Sequence, residues 1–213
     1  TYQVLEKNNL SNAYIRPLVF CSPNMSLTAP KEISVMIAAW DWGKYFSNQS
    51  LRLCVSSYQR PNPKSVKVEA KVCGHYVNSI MATMEAKERG FDEALMLDMN
   101  GFVAEGPGAN FFFEKEGVLY TPPLGNILPG ITRSTVMDIC KELDMPLEEK
   151  YFRPEELFEA DSAFFCGTAA EVIAIESIEG QPFAKPWKNS MGLIIQEAYK
   201  CIVLDKSYSY VIV

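Results

Sequence analysis

The chain holds a single histidine and no two cysteines spaced as Cys-x-x-Cys. Zinc sites draw chiefly on those two residue types, so no metal centre is expected. Six cysteines (21, 54, 73, 140, 166 and 201) are scattered, with Cys54 and Cys166 inside apolar runs. They read as reduced, buried thiols of a cytoplasmic protein and not as a disulfide frame. Lysine and arginine never form a run, and the formal net charge is −6, which argues against a nucleic-acid-binding face. No apolar run approaches the roughly 20 residues of a membrane-spanning helix, and the opening residues carry no signal-peptide pattern. Internal repeats and low-complexity tracts are also lacking.

What is present suits an ordinary globular protein. At 213 residues, 48% apolar and 22% charged, the chain is long enough for one or two domains with a substantial core. Residues 1–10 read as the end of a helix already under way, so a preceding segment is expected.

The stretch 71–110 carries the chemistry. It opens Lys71-Val72-Cys73-Gly74-His75-Tyr76 and closes Glu105-Gly106-Pro107-Gly108-Ala109-Asn110. Ala70 and Val72 flank the lysine with small or apolar groups, an environment expected to desolvate the amine and favour its neutral, nucleophilic form. A carboxylate follows at Glu105 on a Gly/Pro-rich turn. An amine that can hold an aldehyde and an anion that can hold a ring nitrogen together suit pyridoxal phosphate. Two further turns suit its phosphate. Gly130 precedes a helix whose first N–H groups, at Ile131 and Thr132, attract an anion, with the Thr132 hydroxyl beside them. Gly167-Thr168-Ala169-Ala170 is a small-residue turn that lets backbone N–H groups approach a ligand.

The remaining segments alternate between strand and helix patterns. Strands are expected at 13–20, 33–40, 51–58, 94–98, 102–105, 110–114, 118–120, 162–166 and 172–178. Asn100-Gly101 marks a hairpin, and Lys115-Glu116-Gly117 another. Pro17 assigns the first strand to an edge or a bulge. Helices are expected at 76–89, 131–143 and 190–204. The first should bury Val77, Ile80, Met81 and Met84, which fall at i, i+3, i+4 and i+7, and stop at Gly90. The second should bury Ile131, Val136, Ile139, Cys140 and Leu143; the third, Met191, Ile194, Ile195, Ala198 and Ile202. A polar shift at 46–50 suggests a boundary, giving domains 1–48 and 49–213. Tyr14 and Arg16, two apart on a strand, share a face; from the residues alone they are a solvent-facing pair or part of a site. Trp42 and Tyr45 likewise either roof a core or line a pocket.

Lys71-x-x-Gly74-x-Tyr76, the run Asp98-Met99-Asn100-Gly101-Phe102-Val103-Ala104-Glu105-Gly106, Leu128-Pro129-Gly130-Ile131-Thr132-Arg133 and Gly167-Thr168-Ala169-Ala170-Glu171 resemble, in order, the branched-chain amino acid aminotransferases. The resemblance covers nearly the whole chain. It implies a two-domain α/β (α+β) architecture of fold type IV: a small α/β domain, and a larger cofactor domain of mixed sheets or pseudo-barrel with packed helices. It also implies transamination of leucine, isoleucine and valine with 2-oxoglutarate, pyridoxal 5'-phosphate as cofactor, and a homodimer or higher homo-oligomer. Lys71 then holds the cofactor and moves the proton, Tyr76 meets its phenolic oxygen, Glu105 its ring nitrogen, and Ile131, Thr132 and Thr168 its phosphate. Tyr14, Arg16, Trp42 and Tyr45 would line the substrate pocket, Arg16 taking the side-chain carboxylate of glutamate. The backbone of Thr168, Ala169 and Ala170 would take the substrate α-carboxylate.

Two departures from that pattern stand out. His75 replaces a more usual asparagine and is expected to make a supporting hydrogen bond. The upstream arginine that the family places on the phosphate is not among these residues, and Arg60 lies in the wrong place to be it. Related readings are a D-amino acid aminotransferase, an aminodeoxychorismate lyase, or a catalytically silent binding relative.

Overall fold

The computed structural model describes residues 1–23, 25–28, 32–43, 46 and 48–204. The chain divides into two compact units, Thr1–Tyr45 and Phe46–Val213, so the division falls a few residues before the expected 48/49.

In the first unit, α1 (Tyr2–Lys7) precedes an antiparallel pair, β1 (Tyr14–Cys21) and β2 (Ile33–Trp40), in register from Tyr14↔Trp40 to Cys21↔Ile33. With only two strands each is an edge, so the missing N–H of Pro17 is tolerated.

The second unit is built on a nine-stranded sheet. In chain order its elements are β3 (Ser50–Val55), α2 (Tyr76–Glu88), β4 (Glu93–Leu97), β5 (Val103–Glu105), β6 (Asn110–Lys115), β7 (Val118–Thr121), α3 (Ile131–Glu142), β8 (Leu147–Glu149), β9 (Ser162–Gly167), β10 (Glu171–Ile178), β11 (Gln181–Pro182) and α4 (Met191–Leu204). Both expected hairpins form. Gly101 at φ +81° turns β4 into β5, and Glu116 and Gly117 at φ +53° and +76° turn β6 into β7. Strand β9 pairs with both β6 and β10, so β10-β3-β4-β5-β6-β9 close on themselves as a six-stranded barrel. Closure removes the edges that an open sheet would expose.

Strand parity then sorts the core. Leu51, Leu53, Leu95, Phe111, Phe113, Phe165, Ile173 and Ile175 fill one cluster with Phe152. Their alternates Phe112, Phe164, Cys166 and Val172 face the other way and pack with Val136, Ile139 and Cys140 of α3 and Ile195 and Tyr199 of α4. On the β3–β4 side, Cys54, Ala94 and Met96 meet Ala82 and Ala86 of α2. The N-terminus of α4 is pinned by the buried Glu114, which accepts from the N–H of Met191 at 2.9 Å and the Ser162 hydroxyl at 2.9 Å and pairs with Lys185.

Three helix faces differ from expectation. On α2 the stripe Val77, Ile80, Met81 and Met84 is exposed, and the buried face is Ser79, Ala82 and Ala86. Small side chains let that helix lie close on the sheet, and periodicity alone cannot say which of two faces does so. On α3, Val136, Ile139 and Cys140 are buried, but Ile131 and Leu143, at the helix ends, are exposed. On α4, Ile195 points inward together with Tyr199, while Ile194 and Ile202 are exposed.

Candidate active site

Glu105 ends β5 and stands opposite Asn110, the first residue of β6, across the loop 106–109, which the Gly106 N–H closes on the Ala109 carbonyl at 2.8 Å. Its carboxylate is 4% exposed and heavily served. Asn110 Nδ2 donates to Oε2 at 2.9 Å, and the Leu128 N–H reaches Oε1 and Oε2 at 3.1 and 3.3 Å. Arg60 Nε stands 3.0 Å from Oε1, its side chain also buried. Burial pushes the Glu105 carboxyl up to about 7, against the pull of Arg60, the Leu128 N–H, Lys71 and Arg133.

This carboxylate forms part of the wall of a cavity of about 270 Å³, close to the lower end of the roughly 300–1,000 Å³ usual for small-molecule pockets. Among the described residues, Lys71 is the one lysine in its wall. The flanking residues do not desolvate it as expected: Lys71 is exposed and Val72 is half exposed, because the coil before α2 turns both outward. Its Nζ lies 5.8 Å from the centroid of the Tyr76 ring, which shares the wall. His75 lines the cavity too, and among the described residues its side chain makes no hydrogen bond to the protein.

The third side of the cavity is the start of a helix. Gly130 precedes α3, and among the described residues no side chain caps that helix. The first-turn N–H groups of Ile131 and Thr132 are therefore left for a ligand. Both residues line the cavity, as does Thr168 in the turn after β9. Ala169 and Ala170 do not: Ala169 is exposed, and Ala170 packs against the barrel core. Buried Cys166 also faces the cavity, and burial pushes its thiol up, away from reactivity.

In the other unit, Tyr14 and Arg16 do share a face, with Arg16 Nη1 donating to the Tyr14 hydroxyl at 3.2 Å. Tyr14 stacks at a tilt on Trp40 and Trp42, at 5.2 and 4.8 Å between centroids. Tyr45 lies outside the described residues. Sequence reasoning missed Arg60, Asn110 and Trp40. An asparagine facing a glutamate across a Gly-Pro-Gly-Ala turn was a usable signal for Asn110. Arg60 had none, because a non-local bond from its N–H to the Leu97 carbonyl at 2.8 Å carries it beside β5.

An amine, a buried carboxylate and an uncapped helix start on one cavity wall define a site for a cofactor bearing an aldehyde, a basic ring nitrogen and a phosphate. The Amino-transferase class IV family matches residues 1–178, and the chain belongs to it. A branched-chain-amino-acid aminotransferase of Pseudomonas aeruginosa is 40% identical over 99% of this chain and 70% of its own length. The branched-chain aminotransferase of Thermoproteus uzoniensis, solved with norvaline, superposes with a TM-score of 0.90 at 43% identity, over 97% of this chain and 70% of that one. The branched-chain amino acid aminotransferase of Thermobaculum terrenum, solved in its PLP-bound holo form, gives 0.85 at 30% identity, over 94% and 67%. Among curated relatives the chain spans as little as 60% of their length. The fold is type IV and the family depends on pyridoxal phosphate, whose demands the residues of the cavity fit.

Proposed function

We propose that the protein transfers the amino group of leucine, isoleucine or valine to 2-oxoglutarate, giving the branched-chain 2-oxo acid and L-glutamate. The observation that carries this is the cavity that brings Lys71, Glu105 and the start of α3 together; the similarity to branched-chain aminotransferases supports the substrate class. Pyridoxal 5'-phosphate, when bound, supplies an electron-poor ring that accepts the electron pair left at the substrate Cα. Lys71 would hold it covalently through Nζ, and that amine, once released, would move the proton between the substrate Cα and the carbon of the cofactor that carries its aldehyde. Glu105 holds the ring nitrogen in its protonated form, and Tyr76 meets the phenolic oxygen. The N–H groups of Ile131 and Thr132, with the hydroxyls of Thr132 and Thr168, hold the phosphate.

Arg16 is assigned to the side-chain carboxylate of glutamate and 2-oxoglutarate. Tyr14, Trp42 and Tyr45 are assigned to the apolar side chain, and the backbone of Thr168, Ala169 and Ala170 to the α-carboxylate. We infer that the first unit belongs to a small α/β domain and that residues 49–213 are the cofactor domain. The protein would work in the cytoplasm, in keeping with free thiols that are buried at Cys54, Cys140 and Cys166 and, against the sequence reading, exposed at Cys21, Cys73 and Cys201; among the described residues no helix is long and apolar enough to cross a membrane. The exposed stripe of α2 supports a homo-oligomer.

The test is an assay of the purified protein, supplied with pyridoxal phosphate, with leucine and 2-oxoglutarate against D-alanine and aminodeoxychorismate. Glutamate formed from leucine alone is the expected result. Turnover of D-alanine or aminodeoxychorismate instead would reassign the substrate.

A further inference from the structure

Among the described residues, Arg60 is the one charged side chain in contact with Glu105, and its position is costly to keep. The residue is held by backbone geometry: the loop after β3 runs beside β4, with the Ser56 N–H on the Leu95 carbonyl and the Arg60 N–H on the Leu97 carbonyl, at 2.9 and 2.8 Å. That places the guanidinium against β5, its side chain 8% exposed beside a Glu105 side chain 5% exposed. Nε is 3.0 Å from Oε1, yet its N–H is not directed at that oxygen and finds no other acceptor among the described residues. The contact is one of charge without a directed hydrogen bond, and a buried N–H is left unsatisfied for it. Such an arrangement is a weak way to stabilise a fold. It is an effective way to oppose the loss of charge that burial imposes on a carboxylate.

We propose that Arg60 is a positioning residue that draws the buried Glu105 towards its ionised form, so that Glu105 can keep the ring nitrogen of the cofactor protonated. This rests on the aminotransferase reading of the cavity. The other groups facing Glu105 cannot take over the role. Asn110 and the Leu128 N–H are neutral donors, and the Cys166 thiol is uncharged. Lys71 and Arg133 act only through space and more weakly than Arg60. Lys71 also changes its own charge when it engages a substrate or cofactor. Arg133 is committed to Glu149 and the Pro122 carbonyl, at 2.7 and 3.0 Å. A guanidinium that never loses its proton near neutrality is the one fixed charge within contact.

The test uses the full chain without cofactor, labelled with 13C at the glutamate carboxyl groups, the Glu105 signal being identified by its loss in Glu105→Gln. Arg60→Met, which removes the charge and keeps a long stem, should raise the midpoint of Glu105 by about 1–3 pH units, the usual effect of an opposite charge at this range. Arg60→Lys should bring it most of the way back. A midpoint that Arg60→Met leaves unmoved overturns the proposal. If Arg60→Met does not fold, Arg60→Met with Glu105→Gln decides the matter. That double variant should fold if the lone buried carboxylate was the fault, and its failure would make Arg60 a packing residue. Titration of the wild type with pyridoxal phosphate separates the two readings. Absence of binding would sink the cofactor assignment while the midpoint shift stood, and binding with an unmoved midpoint would sink only the role of Arg60.

Discussion

The side-chain oxygen of Asn110 lies 2.2 Å from where a Cβ on Gly130 would stand. Gly130 has φ −67°, so its need for glycine is one of space and not of backbone freedom. Asn110 cannot swing aside, because its Nδ2 donates to Glu105 and to the Leu128 carbonyl, both at 2.9 Å. Gly130→Ala should therefore displace either the turn before α3 or the donor on Glu105. Overpacking of this kind costs about 1–3 kcal/mol, or roughly ten- to hundredfold in cofactor affinity if it falls on the site. Titration with pyridoxal phosphate, beside a melting curve, measures it; unchanged affinity would show that the turn can yield freely.

Among the described residues, Lys71 is the one lysine of the cavity wall, with Lys64 and Lys67 close by in sequence as internal controls. Borohydride reduction of the loaded protein followed by peptide mapping should tag Lys71, and Lys71→Ala should take no tag. A tag on Lys64 or Lys67 would move the reacting amine elsewhere.

The barrel strands were legible because turn chemistry punctuates them: Gly101, Glu116 and Gly117 take the positive φ that their hairpins demand. The motif residues Lys71, Glu105, Thr132 and Thr168 were legible because local turns carry them. Arg60 was not, since a backbone bond to Leu97 brings it in, whereas Asn110 could have been found as the partner that faces Glu105 across their turn. The stripe of α2 was seen correctly as apolar and misread as buried. Its counterpart face, Ser79, Ala82 and Ala86, carries little hydrophobic signal, yet it is the one that fits against Cys54, Ala94 and Met96.

That exposed stripe leads to a prediction about assembly. Val77 and Ile80 are 62% and 56% exposed, one helical turn apart. Burying such side chains is worth about 1.5–3 kcal/mol each, so a dimer built on them should weaken by roughly two to four orders of magnitude in Val77→Asp/Ile80→Asp. Analytical ultracentrifugation should find a larger species for the wild type and a monomer with an unchanged far-ultraviolet spectrum for the variant. Assembly that survives the pair places the interface elsewhere.

Arg16 should discriminate between substrates by charge. Arg16 is exposed in the free chain, so Arg16→Ala is expected to cost about 2–4 kcal/mol with glutamate and 2-oxoglutarate only where the bound substrate desolvates the pair, and far less with leucine. The kcat/KM values for the two amino acids decide it. Equal losses would mean that the bond from Arg16 to Tyr14 matters only for the shape of β1.

Glu105→Gln separates the requirement for charge from the requirement for fold through its pH dependence. The folded carboxyl is raised to about 7 from an ordinary 4.5, mainly by burial. A raised carboxyl binds its proton more tightly in the folded than in the unfolded chain between those two values. Stability without cofactor therefore falls as pH climbs through that window, by about 3 kcal/mol once pH exceeds 7, at roughly 1.4 kcal/mol per unit. Glutamine does not titrate, so the variant escapes this loss. The unpaired Arg60 adds a penalty of its own, but an arginine stays charged throughout the range, so that penalty is a constant offset. The melting temperature of Glu105→Gln minus that of the wild type should thus become steadily more positive from pH 4 to pH 8, whatever its sign at the start. A difference that stays flat would mean that Glu105 titrates near its ordinary value, and one that falls would mean that the carboxylate is stabilised by its donors more than burial opposes it. The same substitution should slow proton transfer on leucine in a single turnover, because a neutral amide cannot hold a positive charge on the ring nitrogen.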